Sequence, residues 1–202
     1  MEEYRRAVEE LGMRGIILFS HVSGKPVDSP EFEPLYEAAE RDRIPMVIHP
    51  TVPMWADAVR DYSMVPMLGL MVDHSIAMLR LILGGVLERY PGLLVVHPHC
   101  GGVLPYLMPR IEEQTEVKGR GRERISAPPG NYYRNVYLDV VSPSSLVIEF
   151  VYRTSRPDRL LFGSDHPWLS IAQIKDCVLA LQIPEEDKAK ILGENARGLF
   201  RL

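Results

Sequence analysis

Cysteine is scarce in this chain of 202 residues. Only Cys100 and Cys177 occur, and neither belongs to a Cys-x-x-Cys pair. A disulfide framework is therefore excluded, and a reducing cytoplasm is expected. A basic surplus is also missing, since 23 lysines and arginines are outnumbered by 27 aspartates and glutamates. Because no basic stripe interleaved with aromatic residues is present to neutralise phosphates, we expect no nucleic-acid partner.

Long apolar runs and phosphate-binding loops are absent as well. The apolar stretches have the length of β-strands, below the roughly 20 residues that cross a bilayer. The chain opens on Met1-Glu-Glu-Tyr-Arg-Arg rather than on a basic and then apolar leader. We therefore expect a soluble cytoplasmic protein with no membrane partner. No Gly-x-Gly-x-x-Gly and no Gly-Lys-Ser/Thr follows an apolar run, which argues against nucleotide-binding α/β proteins.

What the sequence does contain is a regular alternation of apolar runs with amphipathic stretches of helical length. Five runs predict strands, at 15–19, 46–48, 93–96, 136–140 and 159–162. Because they are continuous rather than alternating, they predict strands buried on both faces, as in a parallel sheet covered by helices. The main intervening helices are predicted near 75–90, 105–116, 144–152, 171–181 and 185–192. This pattern is typical of an α/β fold, either a barrel or a doubly wound open sheet.

Three of the predicted strands end in residue types that bind metals. His49 follows the second run, His97-Pro98-His99 follows the third, and Asp165 follows the fifth. Because the carboxyl ends of parallel strands meet on one face, these side chains are expected to converge there. Imidazole and carboxylate together suit zinc, manganese or iron, and a metal with open positions lowers the pKa of a bound water.

Each of these residues also has a purely structural interpretation. A single histidine at a strand end, such as His49, is more often hydrogen-bonded in a core or loop than bound to a metal. Asp165 alone could be a helix N-cap. His97 and His99 would share a face if both lay on a strand, one as ligand and one as a packing residue.

The remaining three histidines are expected to have structural roles only. His21 is expected in a loop, and His74 is expected at the start of a helix. His166 is expected to point away from its neighbour Asp165.

Several motifs occur in an order and at a spacing that resemble those of a known family. They are Gly12-Met-Arg-Gly-Ile16, Val47-Ile-His49-Pro50, Gly85-Val-Leu-Glu-Arg-Tyr-Pro91, His99-Cys-Gly-Gly-Val-Leu-Pro-Tyr106, Tyr137-Leu-Asp139, Arg159-Leu-Leu-Phe-Gly-Ser-Asp165-His-Pro167 and Ile191-Leu-Gly-Glu-Asn-Ala-Arg197. The chain resembles, over almost its whole length, the amidohydrolase-related metal-dependent TIM-barrel hydrolases. That group includes aminocarboxymuconate semialdehyde decarboxylase and gamma-resorcylate decarboxylase.

The resemblance implies a fold and a set of roles. It implies an incomplete (β/α)8 TIM barrel, strands four to eight, forming one domain over residues 1–202. His49 matches a metal-binding histidine, and Asp165 matches an aspartate that binds metal and helps deprotonate its water. His99 matches an acid-base histidine, whereas His97 has no family role. The implied cofactor is a divalent metal, Zn²⁺ in the first place and Mn²⁺ as the alternative.

The first-strand His-x-His of the family has no counterpart here. Either the sequence begins late, or the protein is genuinely shortened. Two protein ligands, His49 and Asp165, leave most of a metal's shell to water and predict weak binding. An unclosed barrel exposes strand edges, so a homo-oligomer that covers them is expected. The main functional hypothesis is a metal-dependent hydrolase of a small-molecule substrate. The alternatives are a nonoxidative decarboxylase and a catalytically inactive remnant.

Overall fold

A computed structural model describes residues 1–202, and a parallel sheet lies at its centre. Its five strands are β1 (Ile16–Phe19), β4 (Met46–His49), β5 (Val95–His97), β6 (Tyr137–Asp139) and β7 (Leu160–Leu161). A separate antiparallel pair is formed by β2 (His21–Val22) and β3 (Lys25–Pro26). All five strands predicted from the apolar runs are thus confirmed; β1, β6 and β7 are shorter than predicted, β4 is one residue longer, and β5 is shifted toward the C-terminus.

Helices follow or separate the strands. They are α1 (Glu2–Arg5), α2 (Glu33–Asp42), α3 (Leu70–Leu83), α4 (Val86–Arg89), α5 (Leu104–Glu112), α6 (Pro129–Tyr133), α7 (Ser145–Thr154), α8 (Ile171–Leu179), α9 (Glu185–Ala189) and α10 (Asn195–Phe200). Short 3-10 turns lie at Pro30–Phe32, Ala56–Val59, Asp61–Ser63, His99–Gly101 and Pro157–Arg159. Segments of π-helix lie at Arg6–Glu10, Val65–Gly69, Glu113–Val117 and Lys190–Glu194.

The strand order decides between the two α/β architectures. The central sheet runs β1-β4-β5-β6-β7, so every strand lies beside the next one along the chain. All four pairings are parallel. A doubly wound sheet needs a reversal of strand order, which is missing here. Uninterrupted sequential order is that of a barrel wall, with β1 and β7 as its open edges.

The helix predicted over 75–90 is two helices in the structure. It begins earlier, at Leu70, and α3 ends at Leu83. Gly84 and Gly85 then break it, with Gly85 at a φ of +73° before α4 begins. A side chain at Gly84 would meet the Arg80 carbonyl oxygen at 2.6 Å. The two adjacent glycines therefore allow a turn that continuous apolar periodicity conceals.

The two faces of the sheet are covered unequally. On the helix side of β4, Met46 and Ile48 have no exposed surface. On the other side, Val96 belongs to a small apolar cluster that includes Leu199 of α10. Ile17 and Phe19 of β1 are 62% and 50% exposed. The expectation of burial on both faces is therefore wrong for β1, because no element packs against that side of this edge strand.

The helical segment Asp61–Leu83 is longer than the strand-length apolar stretches expected from the sequence. It spans 23 residues with a mean hydropathy of 1.4 over its best window, which would suffice to cross a membrane by length and composition. Core helices of globular proteins meet the same criterion. Here Met78, Leu81 and Ile82 are fully buried in the main core, so α3 packs as a core helix, whereas Tyr62 and Met67 before it are exposed.

Candidate metal and acid-base site

The polar ends of the central strands meet at one edge of the sheet. His49 is the last residue of β4, and Asp139 is the last residue of β6. His99 lies in the 3-10 turn that follows β5, and Asp165 lies in the segment after β7. The parallel pairing brings these four residues to the carboxyl edge, where barrel enzymes place their active sites.

His49 presents one free ring nitrogen. Its Nδ1 lies 2.8 Å from the Pro50 carbonyl oxygen. Because a carbonyl can only accept, Nδ1 carries the proton and Nε2 keeps its lone pair. The ring centre is 6.3 Å from that of His99. This orientation is the one that metal-binding histidines adopt when a carbonyl fixes their tautomer.

His99 and Asp165 face each other across a short gap. The His99 Nε2 lies 3.7 Å from Asp165 Oδ2, with 13% and 35% of the two side chains exposed. That separation is longer than a direct hydrogen bond. It leaves the two side chains positioned to contact the same proton donor or the same substrate atom. Both residues have a left-handed φ, 54° and 52°. Such strain in non-glycine residues collects at functional sites.

Asp139 holds the turn that carries His99. Its Oδ1 accepts hydrogen bonds from the backbone N–H groups of Cys100, at 3.2 Å, and Val141, at 3.0 Å. Burial raises the pKa of Asp139, while the nearby His99 ring lowers it. The carboxylate therefore links the end of β6 to the turn after β5 and restrains where the His99 ring points.

A second buried carboxylate fixes the loop after His49. Asp73 of α3 accepts a hydrogen bond from the Ser20 hydroxyl and lies 3.4 Å from the backbone N of Thr51. The Thr51 N–H also donates to Ser20 Oγ at 3.1 Å. Three segments, after β1, after β4 and within α3, are thereby joined beside the site.

Two buried histidines lie behind His99. His74 Nδ1 is 2.7 Å from His97 Nε2, and His97 Nδ1 is 2.9 Å from the Tyr133 hydroxyl. Burial, followed by the neighbouring His99 and His49 rings, lowers the pKa of His74 to about 3. Burial also lowers the pKa of His97 well below its usual value. Both rings are therefore neutral.

Two expectations about these histidines were wrong. His74 lies inside α3 rather than at a helix start. His97 and His99 do not share a strand face, because β5 ends at His97 and both His99 and Cys100 have left-handed backbone angles. His97 instead contacts His74 and Tyr133. Only the pairing of α3 with β5 brings His74 to His97, which are 23 positions apart in the sequence.

The other two histidines lie outside this group. His21 is part of β2 rather than a loop, and its Nε2 lies 3.0 Å from the Val52 carbonyl oxygen. His166 is exposed in the segment after Asp165.

The donors in this chain fit a divalent metal only in part. His49 offers a free Nε2, and Asp165 offers a carboxylate 3.7 Å from the His99 ring. No three His, Cys, Asp or Glu side chains lie close enough together to hold an ion. Catalytic zinc sites use three protein ligands. The chain by itself therefore lacks a complete metal site.

Comparison with known proteins accounts for this arrangement. A model of the amidohydrolase family described as "Amidohydrolase" matches residues 1–202. The chain belongs to the amidohydrolase family. Two relatives confirm the expected resemblance to aminocarboxymuconate semialdehyde decarboxylase and gamma-resorcylate decarboxylase.

The first is the 2-amino-3-carboxymuconate-6-semialdehyde decarboxylase of Dictyostelium discoideum, 27% identical over 97% of this chain and 55% of that relative. The second is the gamma-resorcylate decarboxylase of Rhizobium sp., 28% identical over 100% of this chain and 65% of that relative. The amidohydrolase-family chain thus spans between about half and two thirds of the length of these relatives.

A solved structure shows the same fold. The dihydroxybenzoic acid decarboxylase of Polaromonas sp., crystallised with bound manganese and the inhibitor 2-nitroresorcinol, aligns with a TM-score of 0.90 at 26% identity. The alignment covers 100% of this chain and 64% of that one. The expected α/β fold, an incomplete TIM barrel, is therefore confirmed for this amidohydrolase-family chain.

Proposed function

We propose that this chain carries the acid-base part of a metal-dependent nonoxidative decarboxylase acting on small aromatic or unsaturated carboxylic acids. The observation that carries the proposal is the meeting of His49, His99 and Asp165 at the carboxyl edge of the barrel wall. The relatives described above are decarboxylases, which favours this reaction over the hydrolysis expected first. Hydrolysis is a reaction of the wider family, and we do not propose it for this chain.

The reaction places a simple demand on the protein. The bond between the substrate's carboxylate group and the carbon atom that carries it breaks, and carbon dioxide leaves. The electron pair left on that carbon atom takes up one proton. His99 and Asp165 are the residues we assign to hold and deliver that proton, because their side chains face each other at 3.7 Å. General acid-base groups of this kind accelerate reactions by roughly 10²–10⁴-fold.

His49 and Asp165 are the two candidate metal ligands in the chain. When bound, Mn²⁺ or Zn²⁺ would supply positive charge for the acidic oxygens of a substrate. The manganese of the Polaromonas structure supports Mn²⁺ beside the Zn²⁺ expected from the sequence. Because we assign two protein ligands, water would occupy most of the other positions around the metal. We propose residues 1–202 as a single domain, located in the cytoplasm.

A catalytically inactive protein is the second candidate. It is favoured by the absence of any group of three metal-binding side chains. Incubation of the purified chain with 2,6-dihydroxybenzoate and Mn²⁺ or Zn²⁺ distinguishes the two, since only the decarboxylase releases carbon dioxide.

Metal binding by His49 is directly testable. We expect Mn²⁺ to bind weakly, and His49→Ala to weaken that binding about 10-fold or more, because one of two ligands is lost. Isothermal titration calorimetry on protein purified without an affinity tag measures both constants.

His166→Ala is the matched control, because His166 is exposed and adjacent to Asp165. The control should bind Mn²⁺ as the unmodified chain does. Equal affinity in the His49→Ala protein would contradict the ligand assignment.

The open barrel wall is proposed to associate with a second copy of the chain. The side of β1 away from β4 pairs with no strand, and its residues Ile17 and Phe19 are exposed. Unpaired backbone groups beside exposed apolar side chains favour edge-to-edge association. We expect sedimentation velocity at micromolar concentration to show a dimer or larger species, and Ile17→Lys to shift it toward monomer.

Leu146→Lys serves as the control for that experiment. Leu146 is 74% exposed and lies on α7 rather than on β1. It should leave the sedimentation profile unchanged. A well-folded monomer formed by the unmodified chain would refute the proposed association.

A further inference from the structure

A chain of three polar side chains lies behind the proposed acid-base pair. It consists of Tyr133 on α6, His97 at the end of β5 and His74 on α3, joined by contacts of 2.9 Å and 2.7 Å. His74 and His97 have no exposed surface. Buried polar groups are retained when their hydrogen bonds are satisfied, so the direction of each bond in this chain has structural consequences.

The direction is set by the proton count. A neutral imidazole carries one N–H, and both buried rings are neutral. The Tyr133 hydroxyl keeps its proton, since burial raises the pKa of Tyr133 well above its usual value. Its only hydrogen-bond partner in the structure is His97 Nδ1.

Tyr133 must therefore donate to His97 Nδ1, because no other protein acceptor lies within hydrogen-bond distance of its hydroxyl. The single proton of His97 then lies on Nε2 and is donated to His74 Nδ1. It follows that His74 carries its own proton on Nε2. The hydroxyl of one tyrosine thus determines the tautomers of two histidines.

The far end of the chain meets the proposed active site. His74 Nε2 and His99 Nδ1 are both buried, and neither has a hydrogen-bond partner. The two ring centres are 5.5 Å apart. One of these atoms is a donor by the argument above, and the other is an unused ring nitrogen. An unmade hydrogen bond at a buried polar atom costs about 1–3 kcal/mol, which favours pairing the two.

We propose that Tyr133, His97 and His74 form a directional hydrogen-bond relay that holds His99 with its proton on Nε2, facing Asp165. Through the relay, His74 Nε2–H donates to His99 Nδ1. Because Nδ1 of His99 accepts this hydrogen bond, the ring proton lies on Nε2, on the side where Asp165 Oδ2 lies at 3.7 Å. The three are positioning residues, and their effect on catalysis rests on the proposed decarboxylase function.

Two glycines make room for the relay. A side chain at Gly101 would overlap the Tyr133 hydroxyl, and one at Gly102 would come within 2.7 Å of His74 Cε1. Both glycines have a positive φ, 75° and 58°. The Cys-Gly-Gly segment that follows His99 therefore keeps both ends of the relay free of steric contact.

The relay is testable by ¹⁵N NMR of histidine-labelled protein. Long-range ¹H–¹⁵N spectra distinguish a ring protonated on Nδ1 from one protonated on Nε2. At neutral pH we expect His74, His97 and His99 all to carry the proton on Nε2. Tyr133→Phe removes only the hydroxyl, so the fold is kept, and it should convert these three rings to mixed tautomers.

Tyr106→Phe is the matched control, since Tyr106 is 77% exposed on α5. Its histidine spectra should match those of the unmodified chain. A proton on Nδ1 of His74 or His97 in the unmodified chain would overturn the relay. So would a His99 tautomer that is unchanged in Tyr133→Phe.

An activity measurement separates the relay from the proposed function. In protein that releases carbon dioxide, Tyr133→Phe should lower kcat about 10-fold with KM unchanged, because the proton donor is misoriented while the binding surface is intact. The predicted tautomers in a protein without decarboxylase activity would support the relay and refute the function. Release of carbon dioxide by a protein whose His74 and His97 carry their protons on Nδ1 would support the function and refute the relay.

Discussion

Gly102→Ala is expected to lower the free energy of unfolding by about 3 kcal/mol. Gly102 has a φ of +58° and a ψ of −125°, a backbone conformation that glycine adopts readily and that costs an alanine about 1–3 kcal/mol. The new methyl group would also lie 2.7 Å from the Met71 carbonyl oxygen and 2.7 Å from His74 Cε1. Relieving such contacts in a packed interior costs about 1–3 kcal/mol more. Urea unfolding followed by circular dichroism measures the change.

Gly119→Ala separates backbone strain from crowding. Gly119 has a similar φ of +65°, but nothing lies within 4 Å of an added side chain. We expect this control to lose only about 1 kcal/mol. Equal losses for the two variants would show that the space around Gly102 is not needed for the packing of α3 against the His99 turn.

Asp165→Asn is expected to lower kcat about 100-fold or more in protein that releases carbon dioxide. The amide can neither accept the reaction's proton nor serve as an anionic metal ligand. Because 35% of the Asp165 side chain is exposed and it lies 3.7 Å from His99 Nε2, beyond a direct hydrogen bond, folding should be preserved. Steady-state kinetics and thermal unfolding of the same preparation measure the two quantities.

Asp57→Asn is the corresponding surface control. The Asp57 side chain is 87% exposed and pairs only with the neighbouring Arg60. Such pairs contribute little to stability, so activity and unfolding temperature should stay unchanged. An Asp165→Asn protein with full activity would exclude Asp165 from the reaction, whereas unfolding of that protein would give Asp165 a structural role.

Most of the strands were predictable because each buries an uninterrupted apolar run. Among the strand residues, Met46, Ile48, Leu160 and Leu161 are fully or almost fully buried. Helix boundaries were less predictable. The segment from Leu70 to Tyr90 has apolar residues throughout, and only the Gly84-Gly85 turn divides it. Periodicity does not reveal such a turn, because it depends on backbone angles that glycine permits and contacts that only packing imposes.

The proposed site was partly predictable for a different reason. His49, His99 and Asp165 each follow an apolar strand, and parallel pairing brings strand ends together whatever the connections between them. No local signal pointed to a functional role for His74, because an isolated histidine in an apolar helix resembles a core residue. Roles for Asp139 and Asp73 were missed likewise, because their carboxylates accept hydrogen bonds from Cys100 and Thr51, which are distant in the sequence.

Local order along the chain thus sufficed for the α/β class, the five strands and the residue types at their ends. Periodicity and strand-end chemistry are short-range properties, so they can be read without knowing the packing. Three features could be seen only in the tertiary structure. They are the barrel order of the strands, the left-handed turn at His99 and the contact between His74 and His97. These features depend on which elements become neighbours, and that is set by burial of the common core rather than by any one segment.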